Sequence, residues 1–103
     1  MAKLAHHVFF ELHDSSEAKI AKLIAAAKKY LVDHDGVVDF GVGRRDPELT
    51  RPVNDVSYHV SLHVVFRDRA SHDIYQTAPT HLQFIDEEKA NWKKVQVFDS
   101  NLE

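Results

Sequence analysis

The chain has 103 residues, of which 44% are apolar and 28% are charged, so we expect one globular domain with a core from about residue 5 to residue 99. Its formal net charge of −3 comes from interspersed acidic and basic residues, which argues against nucleic acids and membrane surfaces as partners. The sequence has no cysteine and no apolar run of bilayer length, so disulfides and thiolate chemistry are excluded and a cytoplasmic location is expected.

The first predicted elements are a strand and an amphipathic helix. Residues 5–13 alternate between two sets of side chains, as a strand requires. One set is His6, Val8, Phe10 and Leu12, and the other is His7, Phe9, Glu11 and His13. Asp14, followed three residues later by Glu17, resembles a capping box that opens a helix. Apolar residues then recur at helical spacing as far as Leu31, and Gly36 is expected to adopt a left-handed conformation after the helix.

Three more strands and two helices are predicted in the rest of the chain. A second strand is expected around Val38–Val42, and the charged segment 44–54, with two prolines, is predicted to be a long hairpin connection. Strict alternation over residues 58–66 indicates a third strand. Helices are predicted over residues 69–77 and 79–91, the second opening on Pro79, and a last strand over residues 94–99.

This order of elements predicts an α+β, ferredoxin-like βαββαβ fold with a four-stranded antiparallel sheet and the helices on one face. The side chains expected to face the helices are Val8, Phe10, Val60, Leu62 and Val64. The opposite face is expected to carry His7, Phe9, Glu11, His13, His59, Ser61, His63, Gln96 and Phe98. Because no predicted element is left to cover a face with two phenylalanines, we expect a homodimer through this sheet face.

Three stretches, taken in order, carry a family resemblance. They are HHVFFELHD in the first strand, SYHVSLHVVF leading into RDRASHDIY, and YQTAPTHLQF followed by WKKVQVFD. Over residues 6–99 the chain resembles the stress-responsive A/B barrel (Dabb) family, which implies a dimeric α/β barrel with two subunits packed sheet to sheet. That family includes stress-associated plant proteins without an established reaction and a plant polyketide cyclase that closes its substrate by aldol condensation.

The resemblance to the cyclase implies a catalytic pair. The tyrosine and histidine that flank its proline correspond to Tyr75 and His81 here, while Ala78 replaces a histidine of the cyclase. In such a pair a neutral histidine removes a proton between two carbonyls, and the phenol donates a hydrogen bond to the developing oxyanion. The resemblance also implies that His6 and Trp92 line the pocket. The full set of expected pocket-lining residues is His6, Val8, Phe10, Ile24, Leu62, Val64 and Trp92.

Three functions remain open from the sequence. The first is the binding of a small, partly hydrophobic phenolic or carbonyl compound, without assigned chemistry and without a cofactor. The second is a polyketide-cyclase-like enzyme that uses Tyr75 and His81 as acid and base. The third is a non-catalytic, structural stress-protective dimer, in which Tyr75 packs in the core and His81 bonds a backbone carbonyl.

No metal site is expected from the histidine spacing. His59 and His63 form an H-x-x-x-H pattern, but on a strand rising about 3.3 Å per residue this spacing separates them by roughly 13 Å, too far for one ion. His6 and His7 are adjacent strand residues and point to opposite faces. A zinc site assembled across strands or across a dimer is left open.

The remaining histidines are assigned to the dimer face. The residues expected there are His7, Phe9, His13, His59, His63 and Phe98, with His13 close to His59. Because histidine titrates near neutrality, we expect acidification below about pH 6 to weaken the dimer.

Overall fold

The computed structural model describes residues 2–103 and confirms the predicted order of elements. The strands in this range are β1 (Leu4–Leu12), β2 (Val37–Arg44), β3 (Val60–Phe66) and β4 (Trp92–Asn101). The α-helices are α1 (Glu17–Tyr30), α2 (Arg69–Thr77) and α3 (Pro79–Glu88), and a 3₁₀ turn, Lys89–Asn91, connects α3 to β4. Within residues 2–103, none of the helices combines the length and apolarity that crossing a bilayer requires.

The strands form one antiparallel sheet in the order β2-β3-β1-β4, as the ferredoxin-like prediction required. The central position of β1 determines which residues meet across the sheet. Its His6 lies opposite Val64 of β3 on one side and opposite Asp99 of β4 on the other. Because paired residues point to the same face, these three side chains are all directed towards the helices.

The core fills the space between the sheet and the helices. Strand β3 buries Val60, Leu62 and Val64 on its helix-facing side, and β1 buries Val8 and Phe10, as predicted. Helix α1 adds its own buried residues, which are Leu23, Ala26, Ala27 and Tyr30. Since burial of a Val, Leu or Phe side chain stabilises a fold by about 1.5–3 kcal/mol, this layer provides the main driving force for folding.

Helix α1 begins differently from the prediction. Its N-cap is Ser16, whose hydroxyl accepts a hydrogen bond from the backbone N–H of Lys19. The predicted capping box starting at Asp14 is wrong, because the carboxylate of Asp14 instead accepts from the backbone N–H of Ser16 and shapes the turn before the helix. After the helix, Gly36 does adopt the predicted left-handed conformation, with φ of +87°.

The bounds of β1, β2 and β4 differ from the predictions by one or two residues, and two further boundaries differ for an identifiable reason. Strand β3 starts at Val60 and not at Tyr58, because the backbone N–H of Leu12 bonds to the imidazole Nδ1 of His59, 3.0 Å away, where a strand carbonyl would otherwise accept. The predicted helix over residues 79–91 ends at Glu88 and continues as the 3₁₀ turn. Trp92 then opens β4 and pairs with Leu12.

The sheet face opposite the helices is open to solvent. An aromatic group lies on it, with the ring of Phe9 5.0 Å from that of Tyr58 and 5.8 Å from that of Phe98. Phe98 remains 54% exposed. A large apolar side chain at this level of exposure, beside other aromatic rings, marks a surface suited to a partner.

Candidate functional site

A cavity of about 170 Å³ lies between the sheet and helices α2 and α3. The strands contribute mostly apolar walls, which are Val8, Phe10, Leu62, Val95 and Val97, together with His6 and Trp92. The helical side contributes Leu31, Tyr75, Gln76, His81, Phe84 and Ile85. The cavity is therefore apolar over most of its surface, with a few polar side chains.

The cavity lies beside strand β4, the edge strand of the sheet. Val95 and Val97 pair with Phe10 and Val8 of β1, so they point to the helix side of the sheet. They are nevertheless 39% and 49% exposed, because the helices pack mainly against β2 and β3. Their exposure leaves a solvent-accessible edge to the cavity wall at β4.

Tyr75 and His81 are brought together by the junction between α2 and α3. Helix α2 ends at Thr77, Ala78 adopts an extended conformation, and Pro79 opens α3, so the chain bends sharply between the two rings. The ring centroids lie 4.6 Å apart with an interplanar angle of 60°. Both side chains are buried, with Tyr75 only 1% exposed.

Three buried polar atoms around the cavity have no hydrogen-bond partner among residues 2–103. They are the hydroxyl of Tyr75, Nδ1 of His81 and Nε1 of Trp92. Buried polar groups in proteins are nearly always paired with protein, water or ligand. All three side chains line the same cavity, so a polar molecule that reaches these atoms would find two donors and, on a neutral His81, one acceptor.

Burial sets the protonation states of the Tyr75–His81 pair. Desolvation lowers the pKa of His81 to about 4, and the charges of His6 and His34 act in the same direction. Desolvation also raises the pKa of Tyr75 above its ordinary value. At neutral pH the pair is therefore a neutral imidazole, able to accept a proton, beside a protonated phenol, able to donate a hydrogen bond.

His6 lies in the same wall and is held by a carboxylate. Its Nδ1 is 2.6 Å from Oδ1 of Asp99, which the β1–β4 register places opposite it. The ring also packs edge to face against Tyr75, with centroids 6.1 Å apart. Burial lowers the pKa of His6, and the contact with Asp99 opposes that shift.

Two of the expected pocket residues lie elsewhere. Val64 is completely buried in the core, Ile24 packs against that core from α1, and neither is among the residues that line the cavity. Sequence reasoning missed Phe84 and Ile85, although they follow His81 at helical spacings of three and four residues and so share its face. Val95 and Val97 alternate with Gln96 and Phe98, which already implied the helix side of the sheet, but their place beside the cavity depends on the β1–β4 register.

The expected dimer face is assembled only in part. His7, Phe9, His63 and Phe98 share the open sheet face, where Nδ1 of His7 lies 2.7 Å from Nδ1 of His63. His13 and His59 lie beyond the ends of β1 and β3. The β1–β3 register pairs His7 with His63, and the His59 imidazole bonds to the backbone N–H of Leu12, while the expected approach of His13 to His59 stays a prediction.

Comparison with known families gives one match over nearly the whole chain. The family model described as "Stress responsive A/B Barrel Domain" matches residues 4–102. Among curated proteins, none matches the chain.

Solved structures share the fold. A Dabb family protein with a ferredoxin-like fold from Mesorhizobium loti is 26% identical, with a TM-score of 0.80 over 100% of this chain and 99% of its own. A dimeric ferredoxin-like protein of unknown function from Thermobifida fusca is 16% identical, with a TM-score of 0.82 over 98% and 92% of the two chains. A hydroxynitrile lyase from Passiflora edulis is 18% identical, with a TM-score of 0.79 over 99% and 94%. At these identities the last two likenesses concern the fold alone.

Proposed function

Because the chain belongs to the stress-responsive A/B barrel (Dabb) family, we propose that it binds a small, partly hydrophobic molecule in the cavity between sheet and helices. The observation that carries this proposal is the set of three unpartnered polar atoms on Tyr75, His81 and Trp92. Leaving a buried donor or acceptor unpaired costs about 1–3 kcal/mol. A ligand that pairs with these atoms removes that cost, which gives it a free-energy advantage beyond apolar contact.

The size and lining of the cavity indicate the class of ligand. An apolar cavity of about 150 Å³ is large enough to hold benzene, so the 170 Å³ here suits one ring with a few substituents. The hydroxyl of Tyr75 and the indole N–H of Trp92 donate, and a neutral His81 offers an acceptor nitrogen. Small phenolic acids carry matching acceptors and a hydroxyl donor, and β-keto compounds carry matching acceptors.

A thermal-shift screen with these two classes of compound tests the proposal. We expect a subset to raise the Tm of the wild-type protein and to lose that effect in His81→Ala. Tyr75→Phe is the sharper variant, because it removes only an unpartnered hydroxyl. It should leave the Tm of the free protein unchanged or slightly higher, yet abolish the shift caused by ligands that bond to that hydroxyl.

Gln83→Ala serves as the control, since Gln83 is exposed on the same helix as His81. It should retain the wild-type response. If no compound stabilises the wild-type protein, or if Tyr75→Phe and His81→Ala respond as the wild type does, the cavity is not a ligand site.

A second candidate function is acid–base catalysis by Tyr75 and His81, as in a polyketide-cyclase-like enzyme that performs aldol-type cyclisation. It is favoured by the 4.6 Å ring separation and by the protonation states that burial imposes. A pKa near 4 makes His81 a weak base, so only a C–H flanked by two carbonyls would be acidic enough. Turnover of a β-keto ligand would support this function if kcat, measured at saturating ligand, falls in Tyr75→Phe by a larger factor than the affinity for a non-reacting analogue does.

The third function, a structural stress-protective dimer, predicts a cavity filled by the protein's own side chains. The 170 Å³ cavity and its unpartnered polar atoms favour the first two functions over it. A cytoplasmic location remains a prediction in all three cases.

We also propose that two copies of the chain pair through the open sheet face, in line with the dimeric structural neighbours. The exposed Phe98 and its neighbouring aromatic rings supply an apolar centre. Gly41 and Gly43 lie on the same face opposite His63 and Ser61, and a Cβ at either would meet no atom of residues 2–103 within 4 Å. Their lack of a side chain leaves this part of the sheet flat enough for another backbone to approach closely.

A further inference from the structure

Three side chains that commonly bind metal ions converge where β1, β4 and α2 meet. One ligand atom each from His6, His72 and Asp99 lies within 4.8 Å of the other two. The imidazole rings of His6 and His72 are 5.2 Å apart, and Asp99 is 2.6 Å from His6. The three residues are distant in sequence, and the β1–β4 register together with the docking of α2 brings them together.

We propose that His6, His72 and Asp99 form a binding site for a divalent transition-metal ion, with Zn²⁺ as the best-suited probe. Two imidazoles and one carboxylate are a donor set that binds zinc and other first-row ions while leaving coordination positions open. The proposal differs from the expectation of no metal site, which rested on spacing within single strands. It concerns the end of the cavity wall at His6 and does not depend on which organic ligand the cavity takes.

The surroundings of His72 resemble those of a metal-binding histidine. Its Nδ1 lies 3.0 Å from Oδ1 of Asp73, and its Nε2 lies 3.3 Å from the amide nitrogen of Gln76. With the Nδ1–H donating to Asp73, the lone pair is on Nε2, where it accepts from the Gln76 amide, and an ion bound at Nε2 would replace that hydrogen bond. A carboxylate bonded to the other ring nitrogen is the usual support of a metal-binding imidazole, because it fixes the tautomer and the ring orientation.

His6 is held in a fixed orientation by its neighbours. The residue is 5% exposed, and its ring packs edge to face against Phe66 and Tyr75, with centroids 6.2 Å and 6.1 Å away. Asp99 provides negative charge beside it, and Arg69, the nearby cation, is already paired with Asp73 at 2.9 Å. Because Asp73 offsets the positive charge of Arg69, this arginine repels a divalent ion at the site less than an unpaired arginine would.

The site can open to an ion with small movements. Ligand atoms bound to one tetrahedral zinc at about 2.0–2.1 Å lie roughly 3.3 Å apart. The His6–Asp99 contact must widen slightly, and the most distant pair must close by at most about 1.5 Å. The side chain of Asp99 is 42% exposed on an edge strand, so it has room to adjust. A surface depression lined by Arg69, His72, Asp99 and Ser100 provides the entry path.

Titration of the metal-free, untagged protein with Co²⁺ at pH 7.5 tests the proposal. Visible absorption reports the coordination of the ion, and Zn²⁺ competition with equilibrium dialysis gives stoichiometry and affinity. We expect one ion per chain, displaced by Zn²⁺. His72→Ala and Asp99→Asn should each weaken binding at least tenfold and change or abolish the visible spectrum, since each removes a ligand.

His13→Ala is the matched control, because the chain has eight histidines and exposed ones bind metal weakly on their own. It should bind as the wild type does. Asp99→Asn keeps the size of the side chain, so circular dichroism should show that a loss of binding in this variant is not a loss of folding. Absence of saturable binding, or affinity and spectrum unchanged in both His72→Ala and Asp99→Asn, would overturn the proposal. Loss only on substitution of His7 or His63 would do the same and would place the ion on the open sheet face.

Discussion

His81 is a titratable side chain that the fold buries without giving its Nδ1 a partner among residues 2–103. Its pKa is lowered from 6.5 to about 4, mainly by desolvation. Above pH 6.5 the residue is neutral in both the folded and the unfolded chain. Below pH 6.5 the unfolded chain takes up a proton that the folded chain does not take up until about pH 4. Stability is therefore lost as the pH falls through this window.

This linkage gives a measurable prediction for His81→Gln. Between pH 7 and pH 5, His81 should reduce the free energy of unfolding of the wild-type protein by about 2 kcal/mol. In the variant, the free energy of unfolding should fall by about 2 kcal/mol less over this pH range, because the contribution of His81 is removed. The contributions of His6 and His63 remain, since burial also lowers the pKa values of these two residues. Urea unfolding at the two pH values, with Gln83→Ala as control, measures the difference. Identical pH dependence of wild type and His81→Gln would contradict the assignment.

At the residue scale, the sequence identifies Tyr75 and His81 as a pair but does not predict whether their polar atoms have hydrogen-bond partners. Tyr75 and His81 could be selected because their spacing around Pro79 matches a family motif. That Tyr75, His81 and Trp92 are left unpartnered follows from three-dimensional packing, which no local pattern reports. His72 carried a usable signal, since it precedes Tyr75 by three residues and therefore shares its helix face.

At the scale of elements, the turn between α1 and β2 is locked against α2. Gly36 takes a left-handed conformation, and its carbonyl accepts from the backbone N–H of Arg67 at 2.7 Å. A Cβ at this position would overlap the side chain of Ser71, whose hydroxyl is bonded to the α2 cap, Asp68. One glycine thus allows the end of the first βα unit to contact the start of the second helical segment.

Gly36→Ala should therefore be strongly destabilising. The left-handed conformation alone costs a residue with a Cβ about 1–2 kcal/mol, and the overlap with Ser71 adds to it, so we expect a loss above about 2 kcal/mol. Chemical denaturation at a fixed protein concentration measures the change. Asp35→Ala is the control, because Asp35 is exposed in the same turn and does not have a positive φ, and this substitution should change stability little. Equal effects of the two substitutions would show that Gly36 is not constrained as described.

The sequence predicts elements well where the signal is local. Both bounds of α2 follow from periodicity and from the break at Ala78–Pro79. The start of β3 does not, because it depends on His59 bonding across the sheet to Leu12. The meeting of His6 with Asp99 likewise depends on register between strands that are 93 residues apart along the chain.

At the scale of the whole molecule, the open sheet face should respond to pH. Two Nδ1 atoms 2.7 Å apart, on His7 and His63, require one donor and one acceptor, so at least one ring must be neutral. The pKa of His63 is lowered by desolvation first and by His7 second. Packing against a second copy would bury both rings further. Protonation of this pair below about pH 6 should therefore oppose dimer formation.

Sedimentation at low micromolar concentration at pH 8 and pH 5 measures this effect. We expect the dimer Kd to rise about tenfold or more on acidification. If each His7–His63 pair binds one proton in the monomer but not in the dimer, that difference is sufficient for such a change. His63→Gln keeps hydrogen-bonding capacity without a titrating group and should show a much smaller rise. A wild-type dimer equally stable at both pH values would exclude the His7–His63 pair as a pH-sensitive contact.

The cavity and the open face lie on opposite sides of the same sheet. In a dimer joined through the open faces, the two cavities would point outward, separated by two packed sheets about 10 Å apart. A molecule entering one cavity would lie far from the residues that bind a molecule in the other. The dimer should therefore behave as two equal and independent sites with a Hill coefficient of one, so that pairing doubles binding capacity without creating cooperativity.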